Sequence, residues 1–103
     1  MVLRLEGHLT LESLELSLAL LSVSPGRPLL VDCTKMESYD SEARERFVGW
    51  HREHRAMISA VAVVTDKSLW HMIVSAMSLA SGQKMRAFAD VEAAHAWLSA
   101  SST

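Results

Sequence analysis

Few of the residues able to do chemistry stand at spacings that a reaction needs. Cys33 closes a short apolar run, Leu29-Leu30-Val31-Asp32-Cys33, and it is the only thiol in the chain. A nucleophilic cysteine needs a base and an electropositive setting. No histidine is assigned to it by spacing, so Cys33 reads as a buried core cysteine, and a lone cysteine allows no intramolecular disulfide. His51 and His54 lie three apart in WHREHR, on adjacent parts of one helix, so both could touch one metal ion. Two ligands do not make a site, no third is fixed by spacing, and His54 falls on an apolar stripe as a packed histidine. His71 follows Trp70 and His95 precedes Ala96-Trp97, with no partner for acid–base work. Asp40-Ser41-Glu42 reads as a helix start, where carboxylates are favoured. The sequence has no phosphate-cradling glycine loop and no nucleophile elbow. No catalytic residue, metal or cofactor is assigned, and the chain reads as a non-enzyme.

The elements that must position these residues fit into one domain. The chain has 103 residues and a mass of 11.4 kDa, room for one core. Ten Lys and Arg against twelve Asp and Glu give a formal charge of −2. That excludes a strongly basic nucleic-acid module. With 50% hydrophobic and 21% charged residues the chain is not disordered. The N-terminus, MVLRLEGHL, carries Arg4 and Glu6 inside its first apolar stretch and does not read as a signal peptide. The longest uncharged run, Ser68 to Gln83, is shorter than the ~20 residues a spanning helix needs. The expectation is a cytoplasmic protein without a membrane segment.

Strand and helix patterns alternate. Val2, Leu3 and Leu5 open a strand ending near Gly7-His8, and Thr10 stands at a helix N-cap before Leu11, Leu14, Leu18 and Leu21. Ser24-Pro25-Gly26-Arg27-Pro28 breaks the chain. Leu29 to Cys33 is a buried strand, Thr34 to Asp40 a loop, and Ala43, Phe47, Trp50, His54 and Met57 form the stripe of a second helix. Ala60 to Thr65 is a strand with no charge on either face, which requires cover on both sides. Asp66 is expected to cap a third helix, ended by Gly82, and Asp90 a fourth with Val91, Ala94 and Leu98 on one face. The order βαβαβαβα predicts a single α/β domain over residues 1–98, with a mainly parallel four-stranded sheet, helices on both faces, and a frayed tail at 99–103.

The third helix, SLWHMIVSAMSLASG, is apolar nearly all round. Leu69, Ile73, Ala76 and Ala80 make one stripe, expected in the core; Trp70, Val74 and Met77 make a second, with Met72 and Leu79 adding to it. Such a helix needs cover on more than one side, and the sheet supplies only one. Trp70, Met72, Val74 and Met77 are therefore candidate interface residues.

Four stretches resemble the STAS-like (SpoIIAA-like) bacterial domains, in the superfamily shared with the CRAL-TRIO lipid-binding domains. They are the strand ending in Gly7 followed by Leu9-Thr10; LLVDCTKMESYDSEA at 29–43; AVAVVTD at 60–66; and RAFADVEAAHAWL at 86–98. The resemblance implies a sheet order of 2-1-3-4, which would leave the strand at Leu29–Cys33 on an apolar open edge and make Leu29 and Val31 interface residues. It also matches Ser41 to the serine that anti-sigma factor antagonists phosphorylate. A phosphate at a helix N-terminus meets free N–H groups, although Asp40 and Glu42 would repel it. Two departures stand out: Glu42-Ala43-Arg44 replaces the family's second serine and Gly-rich turn, and the strand that usually precedes Val2 is missing. The function implied is a regulatory protein–protein interaction module that self-associates as a homodimer, with Trp70 as its anchor. The alternative is binding of a small apolar ligand or lipid, as in the CRAL-TRIO domains.

Overall fold

A computed structural model describes residues 1–101. The elements are β1 (Val2–Leu9), α1 (Leu11–Leu20), β2 (Arg27–Tyr39), α2 (Ser41–His54), β3 (Ile58–Val64), α3 (Ser68–Ser81), β4 (Met85–Phe88) and α4 (Val91–Ser101). Local chemistry sets most of their ends. Thr10 and Ser13 close a reciprocal capping box: the Ser13 amide donates to Thr10 Oγ1 at 3.1 Å and the Thr10 amide to Ser13 Oγ at 3.0 Å. Asp90 Oδ1 accepts from the Ala93 amide at 2.8 Å and starts α4. Gly82, at φ 73°, ends α3 in the left-handed conformation that glycine adopts freely. At α3 the N-cap position belongs to Lys67, not Asp66, and the Lys67 amide donates to Thr65 Oγ1. The helix at the C-terminus continues through Ser101, where a tail was expected from 99; residues 102–103 lie outside the described residues.

All strand pairings are parallel, but the order is β1-β2-β3-β4 and not 2-1-3-4. Each βα unit advances one strand in the same direction. Right-handed crossovers that all step the same way put α1, α2 and α3 on one face. β2 is therefore an interior strand, and the open apolar edge expected at Leu29–Cys33 does not exist. Leu29 and Val31 are fully buried core residues, unavailable to a partner. The edge belongs to β1.

The expected loop from Thr34 to Asp40 is mostly strand. β2 runs on to Tyr39 beside β1, with register shifts between Arg4 and Glu6 and between Gly7 and His8. Each shift adds an extra β2 residue, and such bulges erase the alternation by which a strand is read from sequence.

The main core lies under the three helices, where Leu3, Leu5 and Leu9 of β1 meet Leu14 of α1, Phe47 and Trp50 of α2, and Val74 of α3. On the other face Leu30, Ala60, Ala62 and Val64 pack against Ala94 and Leu98 of α4. β3 is thus covered on both sides, as its uncharged sequence requires. α4 lies over β3 and reaches β2 and β4. The outward side chains of β1, Val2, Arg4, Glu6 and His8, stay exposed.

The phase of α3 is opposite to the expected one. Val74 and Ser81 are buried and Trp70 and Met77 pack on the core, while Leu69, Ala76 and Ala80 of the expected core stripe face away from it and Ile73 lies half-buried between the two faces. A helix apolar all round carries no phase in its hydrophobic pattern. Its serines set it: Ser78 Oγ donates to the Gln83 carbonyl at 2.7 Å and accepts from the Met85 amide at 3.2 Å, tying that side of the helix to β4.

Candidate functional site

At the carboxyl ends of β1, β2 and β3, between α2 and α3, lies a pocket of about 60 Å³. Ligands of open α/β sheets bind at this end. Leu9, Cys33, Met36, Phe47, Trp70 and Met77 line it, and its wall is almost wholly apolar. Burial pushes the Cys33 thiol up to about 12, with the charge of Asp32 adding to the effect. Asp32 does not serve it as a base. Its carboxylate accepts from the Thr34 hydroxyl at 2.7 Å and the Thr34 amide at 3.0 Å, and these bonds hold it below the usual carboxylate range. Cys33 is therefore a packing residue. A disulfide reagent is expected to leave it unmodified in native buffer and to label it fully in denaturant; prompt labelling of the native protein would show an open pocket.

Ser41 is exposed at the first position of α2. The N-cap, Asp40, gives α2 no side-chain hydrogen bond. Its Oδ1 instead accepts from His8 Nε2 at 2.8 Å, and His8 Nδ1 lies 2.6 Å from Ser38 Oγ. In the tautomer that Asp40 selects, Ser38 donates to Nδ1. The three side chains tie the ends of β1 and β2 to the start of α2. A serine, a histidine and a carboxylate in this order have the connectivity of a nucleophilic triad. Here His8 and Asp40 are half exposed, and His8 and Ser38 lie on the sheet face away from the apolar pocket. That pocket cannot hold an acyl group against Ser38, and no reaction is assigned to the cluster. Sequence spacing hides it, because His8 lies thirty residues from Ser38.

The other histidines are occupied singly. His51, not His54, is the buried one; its Nδ1 lies 2.8 Å from the Phe47 carbonyl. His54 Nδ1 lies 2.7 Å from the Trp50 carbonyl, with its ring stacked on Trp50 at 4.2 Å. Each ring turns back on its own helix, so the two do not converge. His71 Nε2 contacts the Thr65 carbonyl at 2.9 Å, and His95 is exposed.

The outer face of α3 is an apolar surface left open. Leu69, Met72 and Leu79 are 66%, 72% and 87% exposed, and Ala76 and Ala80 lie among them. No charged residue falls between Lys67 and Lys84. Beside this face runs an open groove of about 480 Å³ between α2 and α3, with Arg44 and Arg52 on one wall and Ile73, Ala76 and Met77 on the other. Arg52 closes one end, donating to the Ala80 carbonyl at 2.8 Å. Of the six interface candidates read from sequence, only Met72 belongs to this surface. Trp70 and Met77 are half-buried walls of the pocket, and Val74, like Leu29 and Val31, is core. The apolar spacing alone places Leu69, Ala76 and Ala80 in the core, and the observed phase of α3 turns them outward instead.

A family model described as SpoIIAA-like matches residues 1–99. No curated protein matches the chain. Among solved structures, the chain is similar to an uncharacterized protein of the DUF3478 family with a SpoIIAA-like fold from Shewanella loihica PV-4. The identity is 21%, the TM-score is 0.72, and the match covers 94% of this chain and 82% of that one. At that identity the likeness establishes the fold. Among the described residues, no helix is long and apolar enough to cross a membrane.

Proposed function

The chain belongs to the SpoIIAA-like family, and we propose that within that fold it acts as a non-enzymatic, self-associating interaction module whose outer α3 face receives a protein partner. The observation that carries this reading is the exposure of Leu69, Met72 and Leu79 on a helix without a single charge. Fully burying a side chain of this kind is worth about 1.5–3 kcal/mol. Contiguous apolar exposure of this sort, rimmed here by Arg44 and Arg52, is characteristic of interaction surfaces. A photo-crosslinking amino acid at Met72 should yield a discrete protein adduct in the native cell, while the same group at the exposed Glu92 of α4 yields none. Lipid adducts alone, or equal adducts at both positions, would contradict this reading.

The pocket supports a second reading, binding of a small apolar ligand. Its size limits what that ligand can be. About 60 Å³ is the share of liquid volume of roughly two water molecules, far below the ~300 Å³ at which drug-sized pockets begin. An acyl chain would fit only if α3 moved off the sheet.

A further inference from the structure

We propose that two copies of this chain pair their β1 strands antiparallel about Leu5, joining two four-stranded sheets into one. This deepens the self-association contained in the reading above and rests on it, but it places the contact at β1 and leaves α3 free for a different partner.

The backbone provides the first reason. Among the described residues β1 pairs only with β2, so one side of this eight-residue strand is an open edge. The Met1 carbonyl accepts from Leu30 and the Leu9 carbonyl from Asp40, each at 2.9 Å. Odd-numbered residues of β1 thus turn their peptide groups toward β2. Strand alternation then turns the N–H and C=O of Arg4 and Glu6 outward. Pairing centred on Leu5 sets Arg4 of each copy opposite Glu6 of the other, so that each pair exchanges both of its backbone hydrogen bonds.

The charges select that register. Arg4 and Glu6 are exposed on the same sheet face, and neither forms an ion pair within its own chain among the described residues. Centring the pairing on Arg4 would oppose two arginines, and centring it on Glu6 two glutamates. Only the register about Leu5 sets opposite charges across the junction, twice, and direct cross-strand pairs of this kind stabilise a sheet. A charged edge ordinarily discourages pairing; here the alternation makes the edge complementary to itself.

The helix above the edge adds the third reason. α1 leaves Leu16 and Leu20 63% and 86% exposed. Between α1 and β1 runs a groove of about 470 Å³ lined by Val2, Leu3, Leu20 and Leu21. A two-fold axis through the paired strands brings the two α1 helices side by side on one face. These leucines then gain cover that the single chain does not give them.

Sedimentation equilibrium of the whole chain and its variants is the test. The parent should be a dimer. Glu6→Arg and Arg4→Glu should each weaken it about tenfold or more, because both cross-strand pairs become repulsive at once. The double swap, Arg4→Glu with Glu6→Arg, should return the constant to near the parent value, because the register about Leu5 keeps the charges opposed. Both side chains are exposed, and circular dichroism spectra matching the parent's will confirm that the variants fold. A parent that stays monomeric, or single variants that dimerise as the parent does, would overturn the proposal. If Leu79→Glu dissolves the dimer and Glu6→Arg does not, the contact is through α3: the β1 pairing is then wrong while the interaction-module reading stands.

Discussion

Replacing Trp70 by alanine is expected to lower the free energy of unfolding by about 3 kcal/mol, and added indole should restore part of that loss. The sequence suggested a surface anchor at this position, but the structure makes Trp70 a wall. Its ring meets Tyr39 edge-on at 5.4 Å and packs on the main core. The Lys67 ammonium sits 4.8 Å over the ring and also donates to the Met36 carbonyl at 2.7 Å. Removing the indole loses its burial and the aromatic contact, and merges its volume with the pocket of about 60 Å³. The result is an apolar void of the order of the ~150 Å³ engineered cavities that stay dry and accept benzene. Urea unfolding of Trp70→Ala with and without saturating indole measures both effects. A variant as stable as the parent and indifferent to indole would place Trp70 on a free surface after all.

The second large effect concerns pH. His51 is fully buried between Phe47 and Trp50, with ring centroids at 4.3 and 5.0 Å. Its Nδ1 is bonded to the Phe47 carbonyl, and its Nε2 has no hydrogen-bond partner. Burial pushes the imidazole down to about 4 from an ordinary 6.5, so the folded protein holds it neutral. Between those values the unfolded chain binds a proton that the folded chain does not. Stability from this site is therefore complete above about pH 6.5 and is lost as pH falls toward 4, by about 3 kcal/mol in all. His51→Leu removes both the proton site and the unbonded nitrogen. The parent should lose about 3 kcal/mol more than this variant between pH 7 and pH 4. Unfolding curves at the two pH values decide it, and equal losses would mean that His51 is not the titrating group.

The sequence made the alternation of elements legible because its signals are local: the cap at Thr10, the Pro-Gly breaker, the uncharged β3, the glycine that ends α3 and the cap at Asp90. The order of the strands was not legible, since both orders are built from the same right-handed units and no local residue chooses between them. The second half of β2 was hidden by its bulges, which break the period of two. The phase of α3 was hidden by the opposite excess, an apolar residue at nearly every position. That single error moved Leu69, Ala76 and Ala80 from surface to core and Trp70 and Met77 from core wall to surface. The His8–Ser38–Asp40 cluster depends on the bulged pairing of β1 with β2, which no spacing along the chain could have shown.

The most direct test of the interaction-module reading is the native mass of the purified chain, measured beside its denatured mass. The account predicts a species of twice 11.4 kDa that dissociates on dilution and carries no added mass. A monomer at every concentration, bearing an adduct that is lost on denaturation, would contradict it and make ligand binding the function of the pocket beneath α3.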